Sequence, residues 1–87
     1  MITFDEAKRQ GNLAKHGIDL RDCANVFDQP MQTIEDSRAD YGEQRLCSLG
    51  WLDGAVVLMV WVERELPHII SCRKATQHEA RNYFKNL

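Results

Sequence analysis

A chain of 87 residues has room for one core, and residues 1–87 read as a single domain. With 44% hydrophobic and 28% charged residues the composition is that of a globular chain, which excludes a disordered tail, and the formal net charge of −2 excludes an overtly basic nucleic-acid binder. The longest apolar run, AVVLMVWV at 55–62, falls far short of the roughly 20 residues that span a bilayer.

The first helix is expected to open at Thr3, with Glu6 completing a capping box, and to present Phe4, Ala7, Gly11 and Ala14 as a narrow apolar stripe. Gly17 is placed to end it, because a C-cap needs the left-handed conformation that glycine adopts freely. A second helix follows, capped by Asp19, with Leu20, Cys23, Ala24 and Phe27 on one face and Asp28-Gln29-Pro30 closing it.

The period then changes to two. Residues 31–36 form a weak strand, SRADYGE reads as a loop, and residues 44–52 read as a second strand. Asp53-Gly54 is a two-residue hairpin turn, after which 55–62 is apolar on both faces, as in a central strand covered on each side. ERELP turns the chain, Pro67 marks the start of a fourth strand over 68–74, and Thr76 with Glu79 caps a last helix bearing Ala80, Tyr83, Phe84 and Leu87. The order predicts an α+β fold: two N-terminal helices, a four-stranded, mostly antiparallel sheet and a C-terminal helix.

Little conventional machinery is present. Cys23, Cys47 and Cys72 have core-like neighbours and no CxxC spacing, and they fit packing roles in a reducing cytosol. The segment MITFDEAKRQ lacks a signal-peptide core, so a cytoplasmic location is expected. His16, His68 and His78 lie on separate elements without a partner at metal-ligand spacing, so no metal site is assigned. No GxSxG, Walker or dinucleotide fingerprint occurs, and no cofactor is assigned.

What remains is cationic. From Glu63 to Leu87 five cations stand against three acids, whereas Glu35–Arg45 is net acidic. Arg73 and Lys74 end the fourth strand beside the amide end of the last helix, a place suited to phosphate, and alternation sends the two to opposite faces. The competing reading is an ordinary strand end whose arginine pairs with Glu79 or Asp36. Arg64 belongs to the turn at the other end of the hairpin. Lys15-His16, at a helix end, has an adequate structural explanation in the helix dipole.

Taken together, FDEAKRQGNLAKHGIDLRDCANVFDQP, EDSRADYGEQR, LGWLDG, VERE and IISCRKATQHEARNYF resemble the BrnT toxins of bacterial type II toxin–antitoxin pairs. KHGI at 15–18, DYGEQR at 40–45 and IISCRKAT at 69–76 carry the resemblance best. It implies a RelE-like fold and an endoribonuclease that inhibits translation. It also implies a BrnA-type ribbon-helix-helix antitoxin as partner, through which the pair binds operator DNA and autoregulates. Val62 stands where family members typically have threonine, and Cys72 where alanine is common. Metal-free RNA cleavage by 2′-hydroxyl attack needs proton-transfer groups and cations. On that basis Arg73 and Lys74, assisted by Arg64 or Arg45, are candidate phosphate and transition-state stabilisers. Glu63, Tyr83 and His16 are the proton-transfer candidates, although the offset of Tyr83 also fits the buried face of the last helix, and Arg45, Arg38 and Arg81 are candidate substrate-binding residues. The alternative function is a non-catalytic partner-binding or corepressor module, a degenerate toxin.

Overall fold

A computed structural model describes residues 1–87. Five strands form one sheet in the order β1-β5-β4-β3-β2: β1 (Thr3–Phe4), β2 (Gln32–Asp36), β3 (Arg45–Leu52), β4 (Ala55–Val62) and β5 (His68–Lys74). Two α-helices, α1 (Glu6–His16) and α2 (Gln77–Lys85), and a 3₁₀ helix over Leu20–Asp28 complete the chain. The class is α+β as expected, with two corrections. The sheet has five strands and is mixed, because β1 pairs parallel to β5 at Thr3–His68 and Phe4–Ile69. Of the two expected N-terminal helices, the second is 3₁₀ rather than α.

Both corrections have local causes. Thr3 does not cap α1: its amide donates to Pro67 O at 2.9 Å, its hydroxyl bonds His68 Nδ1 at 2.8 Å, and Asp5 caps the helix by accepting from Lys8 N. In the 3₁₀ helix the buried residues are Leu20, Cys23 and Val26, spaced by three, whereas an α-helical face would have taken Ala24. The period of three is what the core selects.

The hairpin at Asp53-Gly54 forms as expected, with positive φ at both residues (50° and 78°). β4 is the central strand. Val57, Met59 and Trp61 point to one face and join Leu20, Cys23, Val26, Leu52, Ile69 and Cys72 in the core, while Val56, Val60 and Val62 are buried on the other. Gly50 in β3 admits the 3₁₀ helix to close approach, since a Cβ there would lie 2.5 Å from Val26 Cγ1. Val26 is fully buried and cannot swing aside. Gly50→Ala is therefore expected to cost about 1–3 kcal/mol by overpacking, read as a lower urea midpoint with an unchanged m-value.

The stripe expected on α1 is not its buried face. Ala7, Gly11 and Ala14 are exposed, and the buried residue is Asn12. Beyond Phe4, β5 has no further strand on its outer side, and Asn12 fills the gap. Its Nδ2 donates to Cys72 O at 2.9 Å and its Oδ1 accepts from Cys72 N at 3.1 Å. One amide side chain thus completes the ladder that a longer β1 would have made, and it also donates to Ile18 O at 2.9 Å. This fixes α1 along the sheet edge.

Candidate active site

Alternation along β5 is broken once. Val60 pairs with Ser71 but Trp61 pairs with Ile69, so Ile70 is an extra residue, a β-bulge. Because of it Ile69 and Cys72 both face the core, while Ser71 and Arg73 both face the opposite, more open side of the sheet. α2 packs over one end of that side, where Tyr83 is buried and Trp51 meets Phe84 edge-on with ring centres 6.0 Å apart. The other end is a cleft of about 260 Å³ lined by Lys15, His16, Arg38, Ser71 and Arg73, over a floor of Leu58 and Val60.

Each lining side chain is delivered by a separate device. Asn12 holds α1 so that its last turn, with Lys15 and His16, arrives at the cleft rim, and Gly17 (φ 70°) then turns the chain away. The bulge aims Ser71 and Arg73. Arg38 is fixed by Asp36, whose side chain is only 1% exposed: Nε donates to Oδ1 at 2.8 Å and Nη2 to Oδ2 at 2.9 Å. Arg73 forms a similar fork with Glu79, Nη1 to Oε1 at 2.8 Å and Nη2 to Oε2 at 3.0 Å, and also donates to Lys74 O at 3.1 Å. Of the two readings offered for that strand end, the Glu79 pair therefore forms. The expected phosphate position at the start of α2 is filled by this same carboxylate, because Glu79 Oε1 accepts from Thr76 N at 2.8 Å within the capping box.

These pairs leave an acid signature. The Arg73 guanidinium, opposed in part by burial and helped by the Thr76 amide, holds Glu79 at about 2 instead of 4.5. Arg38 holds Asp36 at about 2 instead of 3.8. Both carboxylates are easier to ionise in the folded state, so their stabilisation is complete above the unfolded values and is lost as pH falls toward 2. A urea midpoint that declines between pH 4.5 and 2, with a shallower decline in Glu79→Gln, is the expected outcome.

The remaining candidates lie elsewhere. Lys74, as alternation requires, faces the other side of the sheet, in a hollow lined by Asp19, Asp22 and Asp53. Arg64 and Glu63 sit in the β4–β5 turn, Arg64 donating to Glu43 at 3.0 Å. Tyr83 is 2% exposed and donates its hydroxyl to Pro30 O at 2.8 Å, so it belongs to the packing of α2. Arg45 stacks on Tyr41, 3.9 Å from the ring centre, with its Nε buried and unpartnered. Arg81 is exposed on α2. Two lining residues were not picked out as candidates: Ser71, which reads as an ordinary strand residue, and Lys15, which the helix dipole accounts for. The three cysteines are free, Cys23 and Cys72 fully in the core. No helix is long and apolar enough to cross a membrane.

Three cations, a hydroxyl and an imidazole on one sheet face are the parts with which a protein engages a phosphodiester: positive charge for the phosphate and a group that can move a proton. The family model described as "Ribonuclease toxin, BrnT, of type II toxin-antitoxin system" matches residues 4–79, and the chain belongs to that family. It is thus a ribonuclease toxin of the type II class, which acts opposite an antitoxin. No curated protein matches the chain.

Proposed function

We propose that the protein is an endoribonuclease toxin that cuts RNA at the Arg73 cleft without a metal ion and so inhibits translation. The observation that carries this is the convergence of Lys15, His16, Arg38, Ser71 and Arg73 from α1, the β2–β3 loop and β5 on one face. In the reaction the 2′-hydroxyl attacks the adjacent phosphorus as a base takes its proton, and the 5′-oxygen leaves with a proton from an acid. Arg73, with Arg38 and Lys15, receives the phosphate and the charge that grows on its oxygens. His16 is the proton-transfer group, because of the three candidates it alone lines the cleft. Lys74, Arg64, Glu63, Arg45 and Arg81 are not assigned to the chemical step; Arg45 and Arg64 serve the approach of the strand. A metal-free mechanism is supported by the state of the two neighbouring carboxylates, Asp36 and Glu79, each already forked to an arginine.

The partner in this reading is a BrnA-type ribbon-helix-helix antitoxin, with which the toxin represses its own operon. Expression of the toxin alone is expected to arrest growth with loss of intact RNA, and co-expression of such an antitoxin to restore growth. Purified protein that leaves RNA whole while still binding its antitoxin overturns the enzymatic reading. It would favour the non-catalytic module, for which the specific observation is that Arg38 and Arg73 are already neutralised by acids of the same chain.

A further inference from the structure

Asp36 is the most deeply buried acid among the ion pairs, with 1% of its side chain exposed, yet its partner Arg38 is 72% exposed. Taking a carboxylate out of water is costly, and one solvated arginine offsets that cost poorly, so the pair is a weak brace. It also joins no two distant parts of the chain, because its members stand two residues apart. By contrast, Arg73–Glu79 ties β5 to α2, and Arg9–Asp19 ties α1 to the cap of the 3₁₀ helix. What the pair does fix is the direction of Arg38. Both side-chain hydrogen bonds of Arg38 go to Asp36, Nε to Oδ1 and Nη2 to Oδ2, and Arg38 lines the cleft. We infer that Asp36 is a positioning residue of the ribonuclease site, which turns the Nη1–Nη2 edge of Arg38 to the phosphate of bound RNA.

This rests on the reading of the cleft as the RNA site. A guanidinium offers two forks of parallel N–H donors, Nε with Nη2 along its side and Nη1 with Nη2 at its end. Asp36 occupies the side fork of Arg38, which leaves the end fork for an anion. Glu79 does the reverse at Arg73: it takes the end fork, Lys74 O takes a further Nη1 donor, and the side fork stays open. Each acid thus leaves its arginine two parallel donors, matched to two oxygens of a phosphate, and determines which two. The arginines differ in what else holds them. Without Glu79, Arg73 retains Lys74 O. Without Asp36, the exposed Arg38 side chain has no other partner, and its rotamers must be ordered anew at each encounter with RNA.

The test is a double-mutant cycle on kcat/KM for a fluorescent RNA, run on the whole protein with Asp36→Asn, Arg38→Ala and both. Asp36→Asn keeps the shape without the charge and is expected to lower kcat/KM about ten-fold or more. In the Arg38→Ala background the same change should alter it less than about two-fold. If Asp36 served only the fold, the loss would persist in that background; if it only neutralised Arg38, its removal would raise the parent rate. Either result overturns the inference, as does an unchanged rate. Urea midpoints give a second readout. Arg38→Ala strands a buried charge, so adding Asp36→Asn should raise the midpoint while kcat/KM stays where it was. The parent protein answers the same question by NMR with isotope-labelled arginine. An uncleavable 2′-O-methyl RNA should shift the Arg38 Nη resonances and leave Nε in place, and an Nε released from Asp36 overturns the inference. If Arg73→Ala impairs cleavage while Arg38→Ala does not, only this inference falls; if neither impairs it, the cleft reading falls too.

Discussion

Arg73→Ala is expected to lower the rate of RNA cleavage by about 10²–10³-fold, the loss usual when one donor to a developing oxyanion is removed. Arg73 reaches the open face only because the bulge at Ile70 resets the alternation of β5, and its guanidinium is held in a fork by Glu79. Arginine is suited to this place because its planar fork can hold Glu79 and still offer N–H groups to a phosphate. Arg73→Lys, which keeps the charge but not the fork, is expected to recover only a small part of the activity. The control is Glu79→Gln. If Arg73 served only to brace α2, loss of either partner would have the same effect; if it serves the phosphate, Glu79→Gln costs less than about ten-fold while Arg73→Ala costs far more. Initial rates on a fluorescent RNA, set beside urea midpoints for each variant, make the comparison.

Asn12→Leu is expected to produce the largest loss of stability, about 2–5 kcal/mol. It strips partners from Cys72 N–H, Cys72 C=O and Ile18 C=O in a buried setting, and each unpaired group costs about 1–3 kcal/mol, offset in part by the added apolar contact. For a domain of this size that is a fall in Tm on the order of 15 °C. Asn12→Asp tests the reason. It nearly preserves shape and keeps the acceptor for Cys72 N, but it turns a carboxylate oxygen toward two carbonyls, so it should be no milder. Calorimetry of the two variants reads this directly. A midpoint within 3 °C of the parent for Asn12→Leu would mean that α1 is not anchored through this side chain.

Local sequence announces some parts of the molecule and not others. The Asp53-Gly54 turn, the Thr76–Glu79 box and the central strand at 55–62 are visible because each is specified by neighbouring residues alone. β1 was hidden because two residues in parallel pairing make no periodic pattern, and Thr3 with Glu6 mimicked a cap. The face of α1 was hidden for a different reason. That helix packs along a strand edge, where the useful side chain is an amide, so its exposed alanines made a misleading stripe. At the site, Arg73, His16 and Arg38 were recognisable by type. Their convergence was not, since it depends on the Asn12 anchor, the Asp36 fork and a bulge, all fixed by contacts distant in sequence. Tyr83 shows the converse: its spacing in α2 fitted the buried face, and the buried face is where it lies.

End-group analysis of cleaved RNA in the presence of excess chelator bears most directly on the proposed mechanism. Attack by the 2′-hydroxyl at a metal-free cleft predicts undiminished cleavage, fragments ending in 2′,3′-cyclic phosphate and 5′-hydroxyl, and no cut where the preceding ribose is 2′-deoxy. Cleavage abolished by the chelator, or fragments carrying 5′-phosphate and 3′-hydroxyl, would contradict it.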